Sequence, residues 1–210
     1  MEPVQLQLFD YHTTQTEFEI YLDMDGVIVN MGSVLNLELH KMLKDPTNKY
    51  SKKFWKKFPD FKLNTIDQEY LQKIFIAKDL GLELSKQEKH IKGLTYKPLS
   101  NNSDLWTNLP AYDGAEDFVS YLNDHWKVTI LSSPVDLDSI IGKELWLNKH
   151  FPSLLHNAIF ETNKYVHAHS RAVLIDDRPK NINLWIENGG IGILHTSFEQ
   201  TKKELQQYLT

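Results

Sequence analysis

After Pro110 the sequence alternates between short apolar runs and amphipathic segments, and this alternation limits the chain to few folds. Four apolar runs are predicted as strands, at residues 127–132, 158–162, 172–175 and 191–194. Between them, apolar residues recur every three or four positions, which is typical of helices. One such helical set is Leu137, Ile140, Ile141 and Leu145. Strands that are apolar throughout are buried on both faces, so the pattern predicts an α/β fold with a doubly wound parallel sheet.

The part of the chain before Pro110 supplies one more strand and a long helical stretch. Residues 18–22 form a β-prone run that ends in a turn, and the periodicity from residue 31 onward is helical. Thr65 with Gln68, and Ser85 with Glu88, have the spacing of helix capping boxes. We therefore predict an N-terminal tail over 1–17, an α/β core formed by 18–30 and 109–210, and a helical cap inserted at 31–108.

Composition excludes several classes of protein. The 210 residues include no cysteine, so disulfides, thiolate nucleophiles and cysteine-bound zinc are excluded. No apolar run approaches the roughly 20 residues of a membrane span, and the first residues lack the features of a signal peptide. We therefore expect a cytoplasmic protein with no membrane association. The net charge of −5 gives no overall signature of nucleic-acid binding.

Polar and charged residues follow the predicted strands at their carboxyl ends. These residues are Asp23, Asp25, Ser132, Ser133, Lys164, Asp176 and Asp177. In an open α/β sheet, ligands bind beyond the carboxyl ends of the strands. We therefore expect the four acids, the hydroxyls and the lysine to line one crevice.

Four neighbouring carboxylates require a compensating cation, because like charges at short distance oppose ionisation. Oxygen ligands without cysteine fit Mg²⁺, which prefers carboxylates and substrate phosphate. The Lys164 ammonium and the Ser132 hydroxyl would hold the remaining phosphate oxygens. The set predicts phosphoryl transfer to a carboxylate nucleophile.

The same residues resemble a known family. Asp23-Met-Asp-Gly-Val27, Ser132, Lys164 and Asp176-Asp177 match, in order, the four motifs of the haloacid-dehalogenase-like phosphohydrolases. The stretches LDMDGVIVN and LIDDRP are closest in wording to the 5′(3′)-deoxyribonucleotidase group of bacterial and phage type. Two positions depart from that group, since Ser132 stands where we expect Thr and Met31 where we expect an aromatic residue. The resemblance implies a Rossmann-like core with an inserted helical cap.

The resemblance also implies roles for individual residues. Asp23 would attack phosphorus and become an aspartyl phosphate, and Asp25 would protonate the leaving oxygen and then activate water. Phosphate oxygens would bind Ser132, Ser133 and Lys164. Mg²⁺ would be held by Asp23, the backbone carbonyl of Asp25 and Asp177, with Asp176 as a direct or an indirect ligand. Met31 and Trp106 are the candidate residues of the substrate pocket.

A basic segment lies inside the predicted cap. Between Lys41 and Lys62 there are eight lysines against two aspartates, with Phe54, Trp55, Phe58 and Phe61 interleaved. Such a segment can attract anions and stack a nucleic-acid base on a ring. Alternatively, it is a solvated lysine-rich helix whose aromatic residues face the interior of the cap.

A short motif lies in the N-terminal tail. Gln5-Leu-Gln-Leu-Phe9 resembles the peptides with which bacterial replication and repair proteins bind the sliding clamp. The alternative interpretation is a tail that covers the hydrophobic core.

Together, these features predict a Mg²⁺-dependent phosphatase that hydrolyses a small phosphate monoester through an aspartyl-phosphate intermediate. The expected substrate is a ribo- or deoxyribonucleoside 5′- or 3′-monophosphate. One alternative is a 3′-phosphatase acting on nucleic-acid ends. Another is a non-catalytic adaptor bound to the sliding clamp, against which the intact Asp23, Asp25, Asp176 and Asp177 argue, because burying unused carboxylates costs stability.

Overall fold

The computed structural model of the protein describes residues 18–208, and its centre is a five-stranded parallel sheet. The strands are β1 (Glu19–Leu22), β2 (Lys127–Ser132), β3 (Ile159–Phe160), β4 (Ala172–Asp176) and β5 (Ile191–Leu194). Their order across the sheet is β3-β2-β1-β4-β5, with β1 paired to both β2 and β4. Leu22 at the end of β1 lies opposite Ile130 and Ile175. The predicted doubly wound parallel sheet is confirmed, although β3 is shorter than expected.

Ten α-helices accompany the strands within the described residues. They are α1 (Met31–Lys44), α2 (Lys49–Lys57), α3 (Gln68–Ile76), α4 (Lys86–Thr95), α5 (Ser103–Thr107), α6 (Ala115–His125), α7 (Leu137–His150), α8 (Pro152–Leu155), α9 (Pro179–Glu187) and α10 (Phe198–Leu205). None of the described helices combines the length and the apolar character needed to cross a membrane.

Both faces of the sheet are covered, which explains why the central part of β4 is apolar throughout. In β4, Val173 and Ile175 belong to the large hydrophobic cluster, whereas Ala172 and Leu174 belong to a smaller one with Trp185 of α9. Successive residues of a strand point to opposite faces, so both clusters require apolar side chains. The carboxyl ends of the strands are left free for polar residues.

The stretch from 31 to 108 contains helices and turns without strands, as expected. Helices α1 to α4 pack on one another. The predicted capping box of Ser85 and Glu88 is present at the start of α4. The one predicted at Thr65 is wrong, because Asp67 caps α3 by accepting a hydrogen bond of 2.7 Å from the Tyr70 amide. Thr65 instead closes a preceding turn through its hydroxyl, which donates to the Lys62 carbonyl.

The last helix of the predicted insertion packs chiefly on a helix of the predicted α/β core. Helix α5 lies against α7, and Gly142 allows the close approach. A Cβ atom at Gly142 would lie 2.3 Å from the Cβ of Trp106 and 2.7 Å from the Ser103 carbonyl oxygen. The domain boundaries stay a prediction. The tail 1–17 and its Gln5–Phe9 motif lie outside the described residues.

We expect Gly142→Ala to destabilise the protein by about 1–3 kcal/mol, because neither contact belongs to the flexible end of a side chain. Gly93→Ala in α4 is the matched control, since nothing lies within 4 Å of its added Cβ. Alanine favours a helix over glycine by up to about 1 kcal/mol, so this variant should be more stable than the original protein. Urea unfolding measures both changes. Equal stability of the two variants would contradict the close packing of α5 on α7.

Candidate active site

The site begins where β1 ends. The Asp23 amide donates to the Ile175 carbonyl at 3.0 Å, which continues the sheet and directs the Asp23 side chain beyond its edge. The Asp23 carboxylate is almost fully buried, and its Oδ1 accepts a hydrogen bond of 2.8 Å from the Met24 amide. The chain then turns, and the Gly26 amide donates to the Val29 carbonyl.

Gly26 is required for this turn and for the approach of Asp177. Its φ of +83° lies in the left-handed region that side chains disfavour. A Cβ atom at Gly26 would lie 2.3 Å from Asp177 Oδ2. The loop after β1 and the loop after β4 therefore meet through a residue without a side chain.

Three carboxylates converge at this meeting point. One oxygen each of Asp23, Asp176 and Asp177 lies within 4.8 Å of the other two. Buried Lys164 joins two of them, with Nζ 2.9 Å from Asp23 Oδ1 and 2.6 Å from Asp176 Oδ2. Asp176 also accepts hydrogen bonds from the Arg178 amide and from Asn181. Within residues 18–208, the Asp177 carboxylate accepts no hydrogen bond.

The electrostatics of the cluster favour a bound cation. Burial raises the pKa of Asp177 well above its usual value, and the charges of Asp176 and Asp23 raise it further. Burial alone would lower the pKa of Lys164, but the charges of Asp23 and Asp176 outweigh it and keep the ammonium charged. One ammonium among three carboxylates leaves negative charge uncompensated. Clustered carboxylate oxygens are the donors that Mg²⁺ prefers, so these residues fit that ion.

Lys143 is the residue that sequence reasoning missed. It is fully buried on α7, and its Nζ lies 2.6 Å from Asp25 Oδ2, 2.8 Å from the Ser132 hydroxyl oxygen and 3.1 Å from the Ser133 carbonyl oxygen. A single ammonium therefore ties together the residues that follow β1 and β2. Burial raises the pKa of Asp25, and the charge of Lys143 opposes that rise. The other oxygen of Asp25, Oδ1, is buried without a hydrogen-bond partner among the described residues.

The apolar periodicity of α7 predicted the wrong buried face for this helix, so Lys143 was not expected to be buried. The apolar set used to predict this helix includes Leu137, Ile141 and Leu145, which are exposed. The buried face instead carries Ser139, Gly142, Lys143, Trp146 and Leu147. In the sequence, the sign of this face is the helical spacing of its members, which lie at positions i, i+3, i+4, i+7 and i+8 from Ser139.

A cavity of about 330 Å³ opens above the carboxylates. Its floor includes Asp23, Asp25, Ser133, Lys164 and Asp177. The side of the cavity formed by residues 31–108 is largely apolar and includes Met31, Leu35, Leu71, Phe75, Ile76, Tyr96 and Trp106, together with the amides of Gln68 and Gln72.

Two predicted residues sit differently from expectation. Ser132 does not line the cavity, because its fully buried hydroxyl oxygen accepts from Lys143, and Ser133 reaches the cavity instead. Trp106 lines the cavity but is almost completely buried, with its indole N–H donating to the Leu99 carbonyl at 3.0 Å. Trp106 is therefore mainly a packing residue with one edge at the cavity.

An ion pair connects the two sides of the cavity. Arg178, which follows the acidic pair, donates to Asp79 Oδ2 through Nε at 3.0 Å and Nη2 at 2.6 Å. Asp79 follows α3, so the contact joins the loop after β4 to residues 31–108. The Asp79 side chain is 2% exposed and that of Arg178 is 40% exposed.

Solved structures share this fold. A hydrolase from Streptococcus pneumoniae TIGR4 is 12% identical, covers 91% of this chain and 100% of its own, and superposes with a TM-score of 0.52. A haloacid dehalogenase-like family hydrolase from Xanthomonas campestris is 13% identical, with 94% of each chain covered and a TM-score of 0.50. No protein-family model and no curated protein sequence matches the chain. The α/β architecture is thus the fold of haloacid dehalogenase-like hydrolases, and these likenesses do not distinguish a subgroup.

We expect Lys143→Met to destabilise the protein by about 3 kcal/mol, because it leaves the Asp25 carboxylate buried without its cation. Lys143→Met combined with Asp25→Asn should cost less than the sum of the two single changes. Lys149→Met, at an exposed position of the same helix, is the control. Urea unfolding of the four variants measures the coupling. Strict additivity would show that the two residues do not form an energetically coupled pair.

The Arg178–Asp79 pair should respond asymmetrically to truncation. Arg178→Ala leaves a buried carboxylate without a partner, whereas Asp79→Ala leaves an arginine that water can reach, so we expect Arg178→Ala to lower the melting temperature more. The exposed pair Lys73–Glu69 provides the control, and Lys73→Ala should change the stability by less than about 1 kcal/mol. Thermal unfolding of the three variants tests this order. A larger loss for Asp79→Ala would contradict it.

Proposed function

We propose that the protein is a Mg²⁺-dependent phosphatase that acts on a small phosphate monoester through an aspartyl phosphate on Asp23. The observation that carries the proposal is the convergence of Asp23, Lys164, Asp176 and Asp177 at one end of the cavity, with Asp25 two residues beyond Asp23. A haloacid dehalogenase-like fold with this arrangement supports a hydrolase whose nucleophile is a carboxylate.

Asp23 is the proposed nucleophile. Its Oδ1 is held by the Met24 amide and by Lys164, which keeps the carboxylate in one orientation at the floor of the cavity. Oδ2 would attack phosphorus, forming the aspartyl phosphate as the bond to the leaving oxygen breaks. The Lys164 ammonium would stabilise the negative charge on the phosphoryl oxygens.

Asp25 is the proposed general acid and base. Because burial raises the pKa of Asp25, its carboxyl group retains a proton more readily than an exposed aspartic acid. It would give this proton to the leaving oxygen and then accept one from the water that hydrolyses the aspartyl phosphate. Lys143 would fix the orientation of Asp25 through the contact to Oδ2.

Asp23, Asp177 and the Asp25 carbonyl would hold Mg²⁺, with Asp176 as an indirect ligand because Lys164, Asn181 and Arg178 already engage its oxygens. Bound there, the ion would offset the combined negative charge of the carboxylates and the phosphate.

The cavity favours a small substrate with a flat apolar group. A volume of about 330 Å³ lies at the low end of the range for small-molecule sites, and the Arg178–Asp79 pair spans its two sides. Phe75 and Tyr96 present aromatic surface, while Gln68 and Gln72 offer amide donors and acceptors. Burial raises the pKa of Tyr96 to about 12, so its hydroxyl remains a hydrogen-bond donor. These features support a nucleoside monophosphate over a phosphorylated nucleic-acid end.

Phosphate release in the presence of Mg²⁺ tests the proposal. The panel contains 5′- and 3′-nucleotides with ribose and deoxyribose, sugar phosphates, and oligonucleotides with a 3′-phosphate. We expect turnover of mononucleotides, abolished by a chelator, restored by Mg²⁺ and reduced at least about 10³-fold by Asp23→Asn. Asp124→Asn, at an exposed site on α6, should retain the original activity.

Intact-protein mass spectrometry adds a test of the intermediate. With an aryl phosphate, whose leaving group departs without a proton, Asp25→Asn should accumulate a phosphorylated protein, because hydrolysis of the aspartyl phosphate loses its base, and Asp23→Asn should not. Release from oligonucleotides alone would move the function to end processing. No release from any member of the panel would overturn the phosphatase proposal.

A further inference from the structure

Helix α2 has a face made only of lysines. At about 100° per residue, Lys49, Lys52, Lys53, Lys56 and Lys57 occupy one arc of about 140°. All five are exposed, and no other residue of the helix falls within that arc. The opposite side carries Tyr50, Ser51, Phe54 and Trp55, which are buried or half-buried. We call these five residues the lysine face.

Within the described residues the lysine face has little compensating charge, since the Asp45 carboxylate attracts Lys52 without forming an ion pair. None of its five ammonium groups forms an ion pair with a carboxylate of residues 18–208, and α2 has no acidic residue in its first turn. The nearby Asp45 carboxylate is instead hydrogen-bonded to the amide and hydroxyl of Thr47, at 2.8 Å and 2.6 Å. Like charges four positions apart, as in Lys49 and Lys53, oppose helix formation. An external anion would relieve this repulsion.

The charge of the face also contrasts with the rest of the chain. The segment 41–62 holds 8 of the 23 basic residues and 2 of the 28 acidic ones, which leaves 15 basic and 26 acidic residues elsewhere. A strongly basic surface on an otherwise acidic protein attracts polyanions to that surface.

The lysine face is separate from the candidate active site. Helix α2 is attached to the far end of α1, where the Ser51 hydroxyl and the Trp55 indole N–H both donate to the Leu43 carbonyl. The cavity contacts α1 at Met31, Gly32 and Leu35, and the helix rises about 12 Å between Leu35 and Leu43. None of the five lysines lines the cavity.

The aromatic residues of this segment do not provide a platform for bases. Phe54 is fully buried, and the rings of Trp55, Phe58 and Phe61 pack on it with centroid distances of 5.2, 5.2 and 5.4 Å. The second interpretation of the basic segment, with its aromatic residues in the cap interior, therefore fits the structure. A ligand of the face would meet mainly ammonium groups, with the half-buried rings of Tyr50 and Phe58 next to Lys49 and Lys57.

We propose that the lysine face binds the phosphate backbone of a nucleic acid, independently of base sequence. Protein interfaces are depleted in lysine and centred on aromatic or apolar residues, which this face lacks. Backbone phosphates, in contrast, are bound by lysines without further recognition, and duplex DNA presents one charge per about 1.7 Å of its axis. The face would hold the protein on a nucleic acid while the cavity remains free for a small ester.

Fluorescence anisotropy with labelled oligonucleotides tests this binding. Duplex DNA, single-stranded DNA and RNA without terminal phosphates are titrated between about 50 and about 200 mM salt. The test variant is Lys52→Gln/Lys53→Gln/Lys56→Gln. Lys86→Gln/Lys89→Gln/Lys203→Gln removes the same charge at exposed positions of α4 and α10 and serves as the control. Circular dichroism confirms that both variants are folded.

We expect the test variant to bind duplex DNA at least about tenfold more weakly at low salt, and the slope of log K against log salt to shrink by about 0.9 for each lysine that contacted a phosphate. The control variant should bind as the original protein does. Absence of binding, or equal losses in both variants, would overturn the proposal. Equally effective competition by polyglutamate would also overturn it, in favour of an acidic protein partner. Because binding is read directly and no terminal phosphate is present, the result does not depend on phosphatase activity.

Discussion

Four carboxyl groups lie at the carboxyl end of the parallel sheet, and two buried lysines hold three of them in place, namely those of Asp23, Asp25 and Asp176. Lys164 joins Asp23, just after β1, to Asp176 at the end of β4. Lys143 joins Asp25, in the turn after β1, to Ser132 at the end of β2. Each buried ammonium would be costly without its carboxylate partner, and each carboxylate without its ammonium. The three central strands of the sheet are therefore linked at this edge by charge as well as by backbone hydrogen bonds.

The rest of the structure positions the polar residues at this edge of the sheet. Apolar strands covered on both faces fix the register in which Leu22, Ile130 and Ile175 lie side by side, so the polar residues that follow them emerge together. Gly26 lets the Asp177 carboxylate approach the turn after β1. The helices of residues 31–108 then supply an apolar wall, and the Arg178–Asp79 pair ties that wall to the acidic loop. The chemistry proposed for the floor and the substrate selection proposed for the wall would thus belong to separate parts of the chain.

The cavity and the lysine face differ in their charge. Near the cavity, the carboxyl groups of Asp23, Asp25, Asp176 and Asp177 outnumber the two buried ammonium groups of Lys143 and Lys164, which favours a bound divalent cation. On α2, five lysines form no ion pair with an acidic residue between positions 18 and 208. The two surfaces lie at opposite ends of α1, so an anion on one does not compete directly with an anion on the other.

Much of this arrangement follows from local sequence. Apolar runs predicted the five strands and their parallel sheet, because a strand buried on both faces needs no polar positions. The order of polar residues at the strand ends predicted which acids and which lysine meet, since parallel strands present their carboxyl ends at the same edge.

The periodicity of α7 predicted a helix correctly but predicted the wrong buried face. The spacing of apolar residues shows that a helix is amphipathic, but it does not show which neighbouring element covers each side. Only the tertiary structure decided that Lys143 is buried, since its partner Asp25 lies 118 residues away in the chain. The same holds for Asp79 and Arg178, which are 99 residues apart. Local sequence thus determined the strands and the chemistry at their ends, whereas the ion pairs that orient this chemistry depend on packing between distant segments, which periodicity does not encode.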